Sequence, residues 1–213
     1  MTSRFSPHAM DNFIAPELSG FTSAQIREVV ARPWLPNFIL NSMLRGSFHS
    51  PAREFAFNFF RRATIAVSEY EMAGAATDRY LAADEQLFTV YFQALHHWEQ
   101  VLASTWHAWN TLRLLASEEK VFVRGDESVE ERVNGIYNAL KHAESEIDAG
   151  RVPPAGTLPV WLTNDGLRSL RTMLSYDEIA DCLERLAAWA YVLEDPLTSR
   201  ERAVERFGPD AVE

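Results

Sequence analysis

Asn134, Asn138 and His142 recur at steps of four residues, in a stretch that also holds Glu131, Tyr137, Lys141 and Ser145. On a helix of 3.6 residues per turn the two amides and the imidazole stack in one row, with Glu131 and Ser145 beside it and Tyr137 and Lys141 on one flank. Such a face carries a cation, an aromatic ring and a group that titrates near neutral pH. It suits binding or acid/base chemistry. It also suits an ordinary wet helix surface, since outer faces rich in amides and charges are normal on amphipathic helices.

The element that must hold this row is a helix over 127–148. Val129, Val133, Ile136, Leu140, Ala143 and Ile147 fall on one narrow stripe, roughly opposite the row, and that stripe is the face to be buried. Other helices must cover it. A first long one is expected from Pro51 to about Ala83, with Phe55, Phe59, Ala63, Ala66, Tyr70, Ala73 and Thr77 inward and small residues that permit close approach. The next, over 84–116, repeats Leu87, Tyr91, Ala94, Trp98, Val101, Thr105, Ala108 and Leu112 at fours and threes, the spacing of a packed bundle. The last, opened by a Ser175-x-x-Glu178 capping box, buries Ile179, Leu183, Leu186, Ala190 and Leu193 before Pro196.

Between these rods, Gly150 and Pro153-Pro154 stop the helix that carries the row. Residues 158–163 then read as extended, and Asn164-Asp165-Gly166 as a turn, so a small hairpin is expected over 160–169. Residues 1–50 are punctuated by prolines and glycines and read as an irregular arm with one short helix at 24–31. A short C-terminal helix is expected after Thr198. The fold class is all-α: an up-down bundle of about four long helices over 51–196, with the arm at 1–50 and a tail at 197–213.

The formal charge of the 213-residue chain is −10 and 47% of its residues are hydrophobic, an ordinary globular content. That charge argues against a broad basic surface for DNA, so any contact with RNA must be local. The single cysteine, Cys182, excludes an internal disulfide and cysteine-built metal sites, and its setting suggests inert packing. No apolar stretch is long enough for a membrane span, no export signal opens the chain, and the expected compartment is the cytoplasm. Histidines invite a metal, but His96 and His107 are separated by roughly 16 Å along one helix, and His96 and His97 diverge by about 100°. No metal or cofactor is expected. His96, His97 and His107 read as surface or inter-helix polar groups.

The order and lengths of these helices, joined to the run Arg132-x-Asn134-x-x-Tyr137-Asn138-x-x-Lys141-His142, resemble the HEPN superfamily of helical bundles. The likeness covers about Pro51 to Pro196, including Pro159-Val-Trp-Leu-Thr-Asn-Asp-Gly-Leu and Leu174-Ser-Tyr-Asp-Glu. It implies a homodimer and, in active members, a metal-independent ribonuclease whose motif is arginine, a polar residue and histidine. Here Asn138 and His142 match the last two, while Tyr137 stands where the arginine belongs. Under that likeness His142 would be the acid/base, Asn138 would orient the phosphate or the imidazole, and Lys141 or Arg132 would offset charge. Three functions are in play: a dimeric interaction module using Asn134, Asn138 and His142, an RNA-cleaving enzyme of toxin or defence type, and a bundle binding a small ligand near Trp98, Trp106 and Trp109.

Overall fold

The computed structural model of the chain describes residues 18–22, 26, 34–46, 48–83, 88–152 and 156–195. It is mostly helical, with one small antiparallel sheet. Helix α1, Trp34–Phe38, runs into a π-helical turn, Ile39–Met43. Pro36 falls in the first turn, where its missing amide donor costs no intrahelical bond. Trp34 and Phe38 are fully buried, and Phe38 packs its ring 4.8 Å from Phe60. The short helix expected at 24–31 lies outside the described residues apart from Ile26, and the one expected after Thr198 lies outside them entirely.

Helices α2 (Ala52–Ala82) and α3 (Phe88–Leu115) make the most extensive helix contact, and both follow the expected stripes. Ala63, Ala66, Ala73 and Ala76 on α2 and Ala94 and Ala108 on α3 are fully buried, so the backbones approach closely. The gaps are filled by aromatic rings. Trp98 lies 5.3 Å from Tyr70 and 4.7 Å from Tyr176, and its indole N–H donates to Thr77 Oγ1 at 3.1 Å. A fully buried Trp98 with a satisfied N–H is a core residue.

The stretch expected as one helix over 127–148 is two: α4, Val129–Lys141, and α5, Ala143–Asp148. Ser128 caps α4 by accepting the Glu131 amide at 3.2 Å. The chain turns at His142, whose φ of −116° and ψ of 37° leave the helical region. Val133 and Ile136 are buried as expected, but α5 buries nothing and Ile147 is 51% exposed. Beyond Lys141 the helix has run past the core it could cover. A Schellman turn then closes α5: Arg151 N donates to Glu146 O at 2.8 Å and Gly150 N to Ile147 O at 2.9 Å, with Gly150 at φ +67°.

Instead of a hairpin alone, the chain forms a three-stranded antiparallel meander: β1, Val160–Leu162; β2, Gly166–Ser169; β3, Met173–Ser175. Leu162 pairs with Leu167, and Leu167 with Leu174, all fully buried. Each contributes roughly 1.5–3 kcal/mol by leaving water. Gly166 admits no side chain, because a Cβ there would meet Leu174 O at 2.1 Å and Ser175 Cα at 2.7 Å. Two phenols tie the sheet to the helices: Tyr91 Oη accepts Leu162 N at 3.0 Å, and Tyr176 Oη donates to Thr163 O at 3.0 Å.

β3 leads directly into α6, Tyr176–Glu194, with the expected Ser175–Glu178 capping box present. This helix packs on α1, α2 and α3. Ser42 on the π-helical turn donates to Leu193 O and Glu194 O at 3.2 Å each, fastening α1 to its end. Cys182 is buried, and burial pushes its thiol pKa up, so it is packing rather than a nucleophile. Among the described residues no helix is long and apolar enough to cross a membrane.

Candidate functional site

Helix α4 lies against α3 and the sheet and turns its remaining surface outward. Asn134 is half-buried, Asn138 and His142 are exposed, and Asn138 Nδ2 donates to Asn134 Oδ1 at 3.0 Å. The amide row is therefore open rather than sealed in the core. His142 sits at its end, on the bend between α4 and α5.

Two members of the predicted set are committed to structure. Arg132 donates to both carboxylate oxygens of Glu178, at 3.0 and 2.5 Å, and its NH1 also approaches Met173 O at 3.4 Å. It thus joins α4 to β3 and to the cap of α6. Burial alone would raise the Glu178 pKa, but Arg132 and the Ser175 cap hold it below the ordinary carboxylate range. Glu131 accepts amide N–H groups from Gly125 at 2.6 Å and Glu127 at 2.9 Å. Those bonds fix the turn before α4, in which Gly125 and Glu127 both have positive φ.

Tyr137 turns toward α3, and Lys141, exposed at the end of α4, is close enough for its charge to act on the α3 residue His107. The Tyr137 hydroxyl lies 3.3 Å from His107 Nε2, and the two rings meet edge to face with centroids 5.6 Å apart. Burial lowers the His107 pKa, and the charges of Arg62, Lys141 and Arg61 lower it further. Both causes disfavour the charged imidazolium. Arg61 NH2 is oriented by Asn58 Oδ1 at 2.9 Å, and Asn58 Nδ2 in turn donates to Thr111 Oγ1 at 3.3 Å.

No carboxylate among the described residues lies within ion-pair distance of Arg61, Arg62 or Lys141. The Nε–H of Arg62 is buried and has no hydrogen-bond partner. An unmet guanidinium donor beside the Arg61 cation is unfavourable for folding, and each such buried group calls for a reason. Aromatic rings border the cluster. Trp106 lies 6.4 Å from Tyr137, nearly parallel at 31°, and 6.0 Å from Phe122. All three rings are partly exposed.

The cluster gathers residues from three helices; Tyr137 and Lys141 belong to the predicted row, Trp106 and His107 were weighed for other roles, and Arg61 and Arg62 were not singled out. A weaker signal was present at Arg61 and Arg62. No acidic residue stands three or four positions from either, so α2 itself cannot neutralise them. Elsewhere His97 pairs with Glu69 at 2.7 Å and His96 is exposed. Among the described residues no three His, Cys, Asp or Glu side chains come together in a metal-binding arrangement. The chain matches no protein-family model, no curated protein and no solved structure.

Proposed function

We propose that the protein binds single-stranded RNA across the face formed by α2, α3 and α4. The observation that carries this reading is the trio Arg61, Arg62 and Lys141, whose charges all bear on His107 and none of which has a carboxylate within ion-pair distance among the described residues, in a chain of net charge −10. Cations left unpaired in an acidic protein suit a ligand that brings its own negative charge. Trp106 and Tyr137 beside them offer flat faces on which bases can stack, the combination of groove charge and aromatic platform that single strands use. Phosphates would lie along the arginines and Lys141, and bases along the rings.

In this reading His107, rather than His142, is the imidazole nearest the phosphate, with the Tyr137 hydroxyl as its partner. The helical context and the Asn134–His142 run keep the HEPN likeness as part of the proposal. The test is fluorescence anisotropy of a labelled single-stranded RNA, read beside a gel of the same RNA for cleavage. Binding that is weakened by Arg61→Gln and Lys141→Gln supports the reading, whether or not the strand is cut. A wild-type protein that leaves anisotropy unchanged at low salt overturns it.

A second reading, a homodimeric interaction module, draws on the exposed Asn134–Asn138 pair, whose remaining amide groups point to hydrogen bonding outside the helix. Light scattering at two concentrations tests it. A monomer at both removes it.

A further inference from the structure

The opposite flank of α4 holds a cleft of about 420 Å³ that the RNA reading does not use. It lies between the outer face of α4, the turn at 122–124 and the β2–β3 turn, and its size is in the range of small-molecule sites. Five charged side chains line it: Arg124, Arg151 and Arg171 against Glu131 and Glu146. Both carboxylates are already satisfied. Glu131 takes the Gly125 and Glu127 amides, and Glu146 takes a bidentate grip from Arg151 at 2.7 and 2.8 Å.

That leaves Arg124 and Arg171, both exposed, neither side chain in an ion pair or hydrogen bond with a described residue; the Arg171 amide donates to Ser169 Oγ at 3.3 Å, and its charge helps to hold the Glu146 pKa down. Asn134 and Asn138 use one amide group each on one another, so each keeps a free donor or acceptor at the cleft. Besides Ser169, the rest of the wall is apolar, chiefly Phe122, Pro159 and Leu170, the last 50% exposed. Two unpaired guanidinia facing apolar walls select a ligand with one anionic end and one greasy body.

We infer that this cleft binds a small organic acid, its carboxylate held by Arg124 and Arg171 and its apolar body seated against Phe122, Pro159 and Leu170. The amides of Asn134 and Asn138 orient the head group. Its cations are not those around His107, so the two readings fail separately, although Phe122 in its wall lies 6.0 Å from Trp106.

The experiment is isothermal titration calorimetry of the full chain with hexanoate and phenylacetate, beside hexanamide as the uncharged analogue and inorganic phosphate as the bare anion. The expected result is a Kd of about 1 mM or tighter for at least one acid. Hexanamide and phosphate should each bind at least about tenfold more weakly, one losing the charge and the other the apolar contact. The double variant Arg124→Gln/Arg171→Gln should lose about tenfold or more, whereas Arg79→Gln, which removes an exposed charge near the end of α2, should keep wild-type affinity. Heat from neither acid overturns the inference, as does phosphate binding as tightly as the acids, or undiminished binding by the double variant. The comparison of ligands on the wild-type chain needs no variant to fold.

Discussion

Salt is the sharpest probe of the face around His107. If a single strand places phosphates on Arg61, Arg62 and Lys141, counterion release gives a slope of log affinity against log salt of about −0.7 per phosphate, or about −2 for three. Raising salt from about 50 to about 200 mM is a fourfold change and should weaken binding about 20-fold. Lys141→Gln removes one contact, so the slope should fall to about −1.4 and the loss over the same range to about sevenfold. Lys141 is exposed and unpaired among the described residues, so the substitution should leave the fold intact. Anisotropy titrations at four salt concentrations measure both slopes. A wild-type slope near zero, or a slope that Lys141→Gln leaves unchanged, would show that these cations do not meet phosphates.

Three further outcomes follow from the same geometry. Tyr91→Phe keeps the fully buried ring but strands the Leu162 amide that its hydroxyl accepts; the expected loss is roughly 2 kcal/mol, seen as a Tm lower by about 4–8 °C, and a shift under about 1 °C would mean that the sheet is held without this bond. His107 titrates below the ordinary histidine value of 6.5 when folded, so the unfolded chain binds more protons below that pH and stability should fall as pH drops through about 6.5. His107→Gln should flatten that part of the Tm against pH curve, and an unchanged curve would refute it. Burial pushes the Glu99 carboxyl up to about 7, so its charge opposes folding as pH rises from about 4.5 through 7. Glu99→Gln should therefore raise Tm more at pH 8 than at pH 5, and equal shifts at the two would exclude the mechanism.

Features with short-range causes were legible in the sequence. The Ser175–Glu178 capping box, the stop at Gly150 and the buried stripes of α2, α3 and α6 each depend on residues a few positions apart. The sheet was legible only in part. β1 and β2 fall within the hairpin expected over 160–169, whereas β3 is three residues that become a strand only by pairing with β2. The prolines at 33 and 36 hid α1, whose stability comes from burying Trp34 and Phe38 against the distant α6.

The amide row illustrates the same division. Periodicity alone located Asn134 and Asn138 on the outer face of an amphipathic helix, because helical spacing is a local property. It could not show where α4 runs out of core, and so it missed the bend at His142 and the exposure of Ile147. Nor could it show that Arg132 is spent on Glu178, 46 residues away, or that Tyr137 meets His107 of α3, on which the charges of Lys141 and two arginines of α2 also act. The sequence determined the helical class and the inward stripes of α2, α3 and α6, since those follow from neighbours along the chain. Only the tertiary structure decided which charges meet and which stay unpaired, because charge balance is set by distance through space between helices that the chain order does not place side by side.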